Sequence, residues 1–229
     1  MAELGDMTRD YELLVFDWDG TVMDSAARIV TCIESTIADL GLEPRSREQI
    51  RHIIGLSMNR AIETLYPGCD AAFHDRMIEG YRHHYLVADP TPSLPFAGSA
   101  ETLARLHRSG YLMGVATGKS RRGLDQVLVD TGFGDYFHAT RCADEAPSKP
   151  HPGMLEQLFD ELGVTPGRAL VIGDTLFDLE MARNAGADAV AVTYGAHPRE
   201  RLEEAAPLAY LDDIRDLPPW LGHPAEETR

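Results

Sequence analysis

The stretch Leu13-Leu14-Val15-Phe16-Asp17-Trp18-Asp19-Gly20-Thr21 runs an apolar segment straight into two carboxylates, a glycine and a hydroxyl. Four consecutive apolar residues read as a strand buried on both faces, the kind that lies at the centre of a parallel sheet. Open α/β sheets bind ligands outside the carboxyl ends of their strands, so Asp17 and Asp19 stand where a metal ion and a phosphate are expected. Strand alternation puts both carboxylates on one side and turns Trp18 to the other. Trp18 then packs beneath the strand end or lines an interface, and the pattern leaves both open. Asp and Gly are also ordinary turn residues, so this stretch needs support from elsewhere in the chain.

Three later segments supply it. The strand Tyr111-Leu112-Met113-Gly114-Val115-Ala116 ends in Thr117-Gly118-Lys119-Ser120, and an extended stretch after Cys142 leads to Ser148-Lys149-Pro150-His151-Pro152. The strand Ala169-Leu170-Val171-Ile172 ends in Gly173-Asp174-Thr175-Leu176-Phe177-Asp178. Each offers a group that phosphoryl chemistry needs: a hydroxyl, a cation, a further carboxylate. In order and spacing these segments resemble the four motifs of the haloacid dehalogenase superfamily, over about residues 11–195.

Helix and strand signals alternate from residue 98 onward. Helices are predicted at about 99–109, 120–131, 153–162 and 177–185, closed by Gly110, Gly132, Gly163 and Gly186. Strands fall near 111–116, 137–142, 169–173 and 189–192. The alternation predicts an α/β fold: a Rossmann-like, doubly wound parallel sheet with helices on both faces. The segment from Asp24 to Pro92 breaks the pattern, being helical with no clear strand. Ile29, Val30, Ile33, Ile37 and Leu40 share one helical face that ends at Gly41, and further helices are expected at about 46–53, 57–66 and 70–88. So long an insertion reads as a small domain of its own, giving a core of residues 1–23 and 93–229 and a helical cap of residues 24–92. Pro218 to Arg229, proline-rich and charged, reads as a loose tail.

Composition narrows the partners. The 229 residues are 44% hydrophobic and carry 21 basic against 37 acidic side chains, a net charge of −16. That balance opposes nucleic acid and anionic membrane surfaces, so a site for a small phosphorylated metabolite must supply its own positive charge. Cys32, Cys69 and Cys142 lie far apart without a Cys-x-x-Cys or Cys/His ligand spacing, which favours reduced thiols over a disulfide framework or a zinc site. Met1 to Asp10 has no signal-peptide pattern and no apolar run spans a bilayer, so a soluble, cytoplasmic monomer or small homo-oligomer is expected. His83 and His84 point about 100° apart on a helix and are not expected to share an ion.

The resemblance implies a set of roles. Asp17 is the nucleophile that becomes an aspartyl-phosphate, and Asp19 is the acid and base that serves the leaving alkoxide and then the attacking water. Mg2+ is held by Asp17, Asp174 and the main-chain carbonyl of Asp19, with Asp178 behind them orienting a water or Lys149. Thr117, Gly118 and Lys149 cradle and neutralise the phosphate. Asp19 separates the chain from haloacid dehalogenases and phosphonoacetaldehyde hydrolases, which lack it. Thr21 and Met58 stand where β-phosphoglucomutase-type enzymes usually carry Val and Arg, which favours a phosphatase over a mutase. The implied function is a phosphoglycolate phosphatase-like enzyme. Substrate choice then falls to the cap segment Gly55-Leu56-Ser57 with Asn59 and Arg60. The alternatives are a sugar phosphomutase and a catalytically idle binding protein on the same fold.

Overall fold

The strand Leu13–Phe16 (β1) is buried along its whole length, and its alternate side chains feed two different cores. Leu14 and Phe16 join Leu103, Leu106, Met113 and Leu124 on one face of the sheet. Leu13 and Val15 join Met154, Leu155, Leu158 and Leu179 on the other. A strand apolar at every position is thus explained by helices on both sides. A computed structural model provides these coordinates and describes residues 10–223; the remainder of the predicted start and tail lies outside the described residues.

Along the chain, β1 is followed by β2 (Met23–Asp24), then by a helical segment of α1 (Ala26–Asp39), α2 (Arg47–His52), α3 (Met58–Leu65) and α4 (Ala71–His83). A π-helical turn over His84–Ala88 and β3 (Leu94–Pro95) complete the excursion. Then come α5 (Ser99–Arg108), β4 (Leu112–Ala116), α6 (Arg121–Thr131), β5 (Ala139–Arg141), α7 (Gly153–Leu162), β6 (Ala169–Gly173), α8 (Leu176–Ala185) and β7 (Asp188–Val192). Two short helices, α9 (Arg199–Leu202) and α10 (Leu217–Trp220), flank β8 (Tyr210–Leu211).

The main sheet has the order β5-β4-β1-β6-β7-β8, and its neighbours pair in parallel. The chain moves outward from β1 through β4 to β5, then crosses back to β6 and moves outward the other way. That reversal opens a crevice at the carboxyl ends of β1, β4 and β6. Register brings the ends level: Phe16 lies opposite Val115 and Ile172.

The α/β expectation is met, and the predicted helices and strands of the sheet region agree with the observed ones to within about two residues. Differences arise where contacts rather than local pattern decide. Met23–Asp24 and Leu94–Pro95 pair antiparallel, so a two-strand ribbon marks both ends of the helical excursion. The helix expected over 70–88 changes to a π turn after His83. The expected loose tail is corrected over its described part: Leu217 and Pro218 are buried, Trp220 stacks on Tyr11, and the His223 carbonyl accepts from Arg105. Trp18, left open by the sequence, packs beneath the strand end edge-on to Phe133 and Phe137.

The helices from α1 to α4 build a third hydrophobic cluster. Ile29, Val30, Ile33 and Ile37 meet Ile50, Ile53, Ile62, Leu65 and Met77 there, with Ala196 the buried member from outside the excursion. The amphipathic face anticipated on α1 is the face that is buried. His83 and His84 join no three-ligand cluster among the described residues; His84 instead bonds Asp39 at 2.8 Å. No helix among the described residues is long and apolar enough to cross a membrane.

Candidate active site

At the crevice, Asp17 is tied to the sheet by its own N–H, which donates to the Ile172 carbonyl at 2.9 Å. Its Oδ1 accepts from Lys149 Nζ at 2.5 Å, and the same ammonium donates to Asp178 Oδ1 at 2.6 Å. The Lys149 side chain has no exposure to solvent. Asp178 Oδ2 accepts from both the N–H and the hydroxyl of Thr175, closing the first turn of α8. Asp178 thus bonds both Lys149 and the first turn of α8.

Asp174 is held as firmly. Its Oδ1 accepts from the Thr21 hydroxyl at 2.9 Å and its Oδ2 from the Ala196 N–H at 2.6 Å. Glycines make room for it: a Cβ on Gly20 or Gly195 would stand 2.1 or 2.3 Å from Asp174 Oδ2. One carboxylate oxygen each of Asp17, Asp174 and Asp178 lies within 4.8 Å of the others.

Three buried carboxylates face one ammonium. Burial pushes the Asp17 carboxyl well above the usual range, and repulsion from Asp178 and Asp174 adds to it against the pull of Lys149. Burial and Asp178 push Asp174 up to about 7. Burial works against the Lys149 charge, yet Asp17 and Asp178 outweigh it and raise its pKa. Asp17 Oδ2 is buried with no hydrogen-bond partner. An orphan carboxylate oxygen among all-oxygen donors with surplus negative charge fits a hard divalent cation such as Mg2+.

Asp19 is buried three residues beyond the end of β1. Its Oδ1 accepts from Ser25 Oγ at 2.6 Å and lies 3.0 Å from Lys119 Nζ. Thr117 is fully buried at the end of β4 and its Oγ1 accepts the Lys119 N–H at 3.2 Å. Gly118 is forced by close approach, since a Cβ there would stand 2.6 Å from the Leu56 carbonyl oxygen. The Gly55–Ser57 turn thus lies directly on the loop after β4. Ser57 N–H donates to Ser148 Oγ at 2.9 Å, beside Lys149.

The cap residues singled out from sequence are distributed differently. The Ser57 hydroxyl caps α3 by accepting the Arg60 N–H. Asn59 is exposed and contacts His74, while the exposed Arg60 side chain has no hydrogen bond or ion pair among the described residues.

Two contributors were not read from sequence. Lys119 lies between Asp19 and Tyr85, 5.1 Å above the Tyr85 ring, over which the Arg28 guanidinium also sits at 4.6 Å. Its only local signal was a cation directly after Thr-Gly at a strand end. His197 accepts the Leu176 N–H at Nδ1 and donates from Nε2 to the His52 carbonyl. Burial pushes its imidazole down to about 4, keeping it neutral as a link from α8 to α2. No local pattern marks it.

A parallel sheet carrying a carboxylate–lysine centre at its switch point defines the class as a Rossmann-like α/β protein with an acidic site. The sequence profile of haloacid dehalogenase-like hydrolases matches residues 14–192, and the chain belongs to that family. It is phosphoglycolate phosphatase-like in sequence: it is 32% identical to the phosphoglycolate phosphatase of Agrobacterium fabrum over 91% of each chain. It is also 28% identical to the N-acetylmuramic acid 6-phosphate phosphatase of Pseudomonas aeruginosa, over 89% of this chain and 92% of that one. A hydrolase from Pseudomonas syringae shares the fold, with a TM-score of 0.82 over 93% of this chain and 99% of that chain at 22% identity.

Proposed function

We propose that the protein is a magnesium-dependent phosphatase that hydrolyses a small phosphorylated metabolite, phosphoglycolate or a close analogue, through an aspartyl-phosphate on Asp17. The observation that carries this reading is the buried, unpartnered Asp17 Oδ2 beside Lys149 and Asp174. Phosphatases that differ in substrate resemble this chain over nine-tenths of its length, which supports the reaction more than any one substrate.

Asp17 and Asp174 would hold the ion with their carboxylates and Asp19 with its main-chain carbonyl, while Asp178 is committed to Lys149 and Thr175. Bound there, magnesium supplies positive charge to the transferring phosphoryl oxygens. Lys149 orients the Asp17 carboxylate through Oδ1, leaving Oδ2 free of competing hydrogen bonds. Thr117 and the N–H groups of the loop at Gly118 bind the phosphate oxygens at the start of α6. Asp19 gives a proton to the leaving alkoxide and later takes one from the attacking water, its Oδ1 fixed meanwhile by Ser25 and Lys119. The helices of residues 24–92 act as a cap whose Gly55–Ser57 turn excludes water from the site.

Purified protein is expected to release phosphate from p-nitrophenyl phosphate and from some members of a metabolite-phosphate panel when magnesium is present, and to stop when EDTA removes it. Phosphate release from none of them refutes the reading.

Substrate choice is assigned to the cap, with Arg60 meeting the non-phosphate carboxylate. Its exposed guanidinium, unengaged among the described residues, supports this. Arg60→Ala is expected to lower kcat/KM for phosphoglycolate by about 2–3 kcal/mol, the scale of a charged hydrogen bond, with little change for p-nitrophenyl phosphate. Equal losses on both substrates assign Arg60 to the folding of α3. No loss on either transfers the role to other cations, Lys119 first.

A further inference from the structure

Away from the crevice, Glu63 of α3, Cys69 of the following turn and His74 of α4 come together at the end of α3 opposite Ser57. One ligand-type atom from each lies within 4.8 Å of the other two. Glu63 Oε2 stands 3.8 Å from Cys69 Sγ and 3.7 Å from His74 Nε2. Zinc bonds of about 2.3 Å to sulfur and about 2.0 Å to nitrogen or oxygen, at tetrahedral angles, give edges of about 3.5 Å and 3.3 Å. The two edges that meet at Glu63 Oε2 therefore need to close by only a few tenths of an ångström, and the third edge is within 4.8 Å.

Two further contacts aim the donors at that gap. The Gly68 N–H donates to Glu63 Oε1 at 2.9 Å, which turns Oε2 toward the sulfur and the imidazole. His74 Nδ1 lies 3.3 Å from Asn59 Oδ1. A proton on Nδ1 satisfies that contact and leaves the Nε2 lone pair facing the Glu63 carboxylate. This is the arrangement of a metal-ligating histidine whose other nitrogen is held by a carbonyl behind it. Two acceptors so placed repel each other unless a cation or a proton lies between them.

We propose that Glu63, Cys69 and His74 form a binding site for a thiophilic divalent cation, best matched by zinc, that pins the α3–α4 turn. The mixed sulfur, nitrogen and oxygen set suits zinc and is too soft for magnesium, and three protein ligands leave a fourth position for water. On binding, the Cys69 S–H bond breaks, a sulfur–metal bond forms and the proton leaves to solvent. Burial and the adjacent Glu63 carboxylate push the Cys69 thiol up, a penalty that a cation in the gap relieves. In sequence, Cys32, Cys69 and Cys142 carry no Cys-x-x-Cys or Cys/His ligand spacing that points to zinc. The neighbourhood is made by packing instead: the Glu63 donor comes from the preceding helix, and the α3–α4 turn brings the other two to it.

The test uses the full chain, stripped of metal and then saturated with magnesium to fill any all-oxygen site. Zinc is titrated against a chromogenic chelator, and cobalt serves as the spectroscopic probe. One equivalent of zinc should bind, cobalt should give a thiolate charge-transfer band, and zinc should raise the thermal midpoint. Cys69→Ser should abolish the band and the midpoint shift. Asn59→Ala, which removes the partner of His74 Nδ1, should weaken zinc binding by about tenfold. Glu63→Gln, which keeps an acceptor for Gly68, should weaken it at least as much. Zinc binding that none of these substitutions affects overturns the proposal, as does a cobalt band surviving in Cys69→Ser, which assigns the band to Cys32 or Cys142. Absence of zinc binding also overturns it and leaves a protonated His74 paired with Glu63 as the occupant of the gap.

Discussion

Asp17→Asn is expected to reduce turnover by a factor on the order of 10⁴ to 10⁶, the scale seen when a nucleophile is removed, and to raise the thermal midpoint of the magnesium-free protein. Asparagine preserves the shape of the side chain and its contact with Lys149 but cannot form an acyl phosphate. The gain in stability follows from the charge imbalance. Burial and the repulsion of Asp178 and Asp174 disfavour the Asp17 carboxylate more than Lys149 favours it. Lys149 keeps Asp178 as a partner at 2.6 Å, so removal of the Asp17 charge does not strand the ammonium. Magnesium should then stabilise the unmodified protein more than the variant, because a ligand stabilises in proportion to its affinity for the folded state. Acid-quench trapping should find labelled protein only where Asp17 is intact. Substantial turnover by the variant moves the nucleophile elsewhere, and a lower midpoint without magnesium shows that the Asp17–Lys149 pair is net stabilising.

Lys149→Met is expected to cost about 3–5 kcal/mol of folding stability near neutral pH, because it leaves the charges of Asp17, Asp174 and Asp178 buried without a counter-ion. Methionine keeps most of the aliphatic stem, so the loss is electrostatic. Its pH dependence has a defined sign. A carboxyl whose folded pKa is raised keeps its proton where the unfolded chain has lost it, so it lowers stability as pH rises from its ordinary value to its folded one. For Asp174 that window runs from 3.8 to about 7 in the unmodified protein. Removal of Lys149 deepens the effect, making the variant's deficit small near pH 4 and full above pH 7. Urea denaturation in magnesium-free buffer at about pH 5 and about pH 8 checks this. A deficit independent of pH assigns Lys149 a packing role instead.

The residues of these two variants were legible before any coordinates. Each stands at the end of an apolar strand or in the loop after one. A buried parallel strand announces itself by a continuous apolar run, and the carboxyl end of such a strand is where an α/β sheet binds ligands. The Leu13–Phe16 run, the Thr117 and Asp174 strand ends and the Lys149 loop needed only this local reading plus their order in the chain. The apolar face of α1 was legible for the same reason, since helical periodicity belongs to the segment that carries it.

Other features depend on how segments dock. Lys119 stands beside Asp19 because the π turn at Tyr85 comes back over the loop after β4, a contact across 34 residues of chain. His197 bonds to His52 across 145 residues and leaves no periodic trace at either end. Pro218 looked like the start of a free tail because proline-rich composition describes the segment and says nothing of the surface that receives it; buried Leu217 and the Tyr11–Trp220 stack supply that surface. Glu63, Cys69 and His74 are the same case within a single turn between helices. Local pattern thus suffices for the elements and for groups tied to strand ends, whose positions follow from sheet geometry. Partnerships between side chains of separate elements come from packing, because the angle and depth at which helices meet a sheet or each other are set by the whole contact surface and by no one stretch of chain.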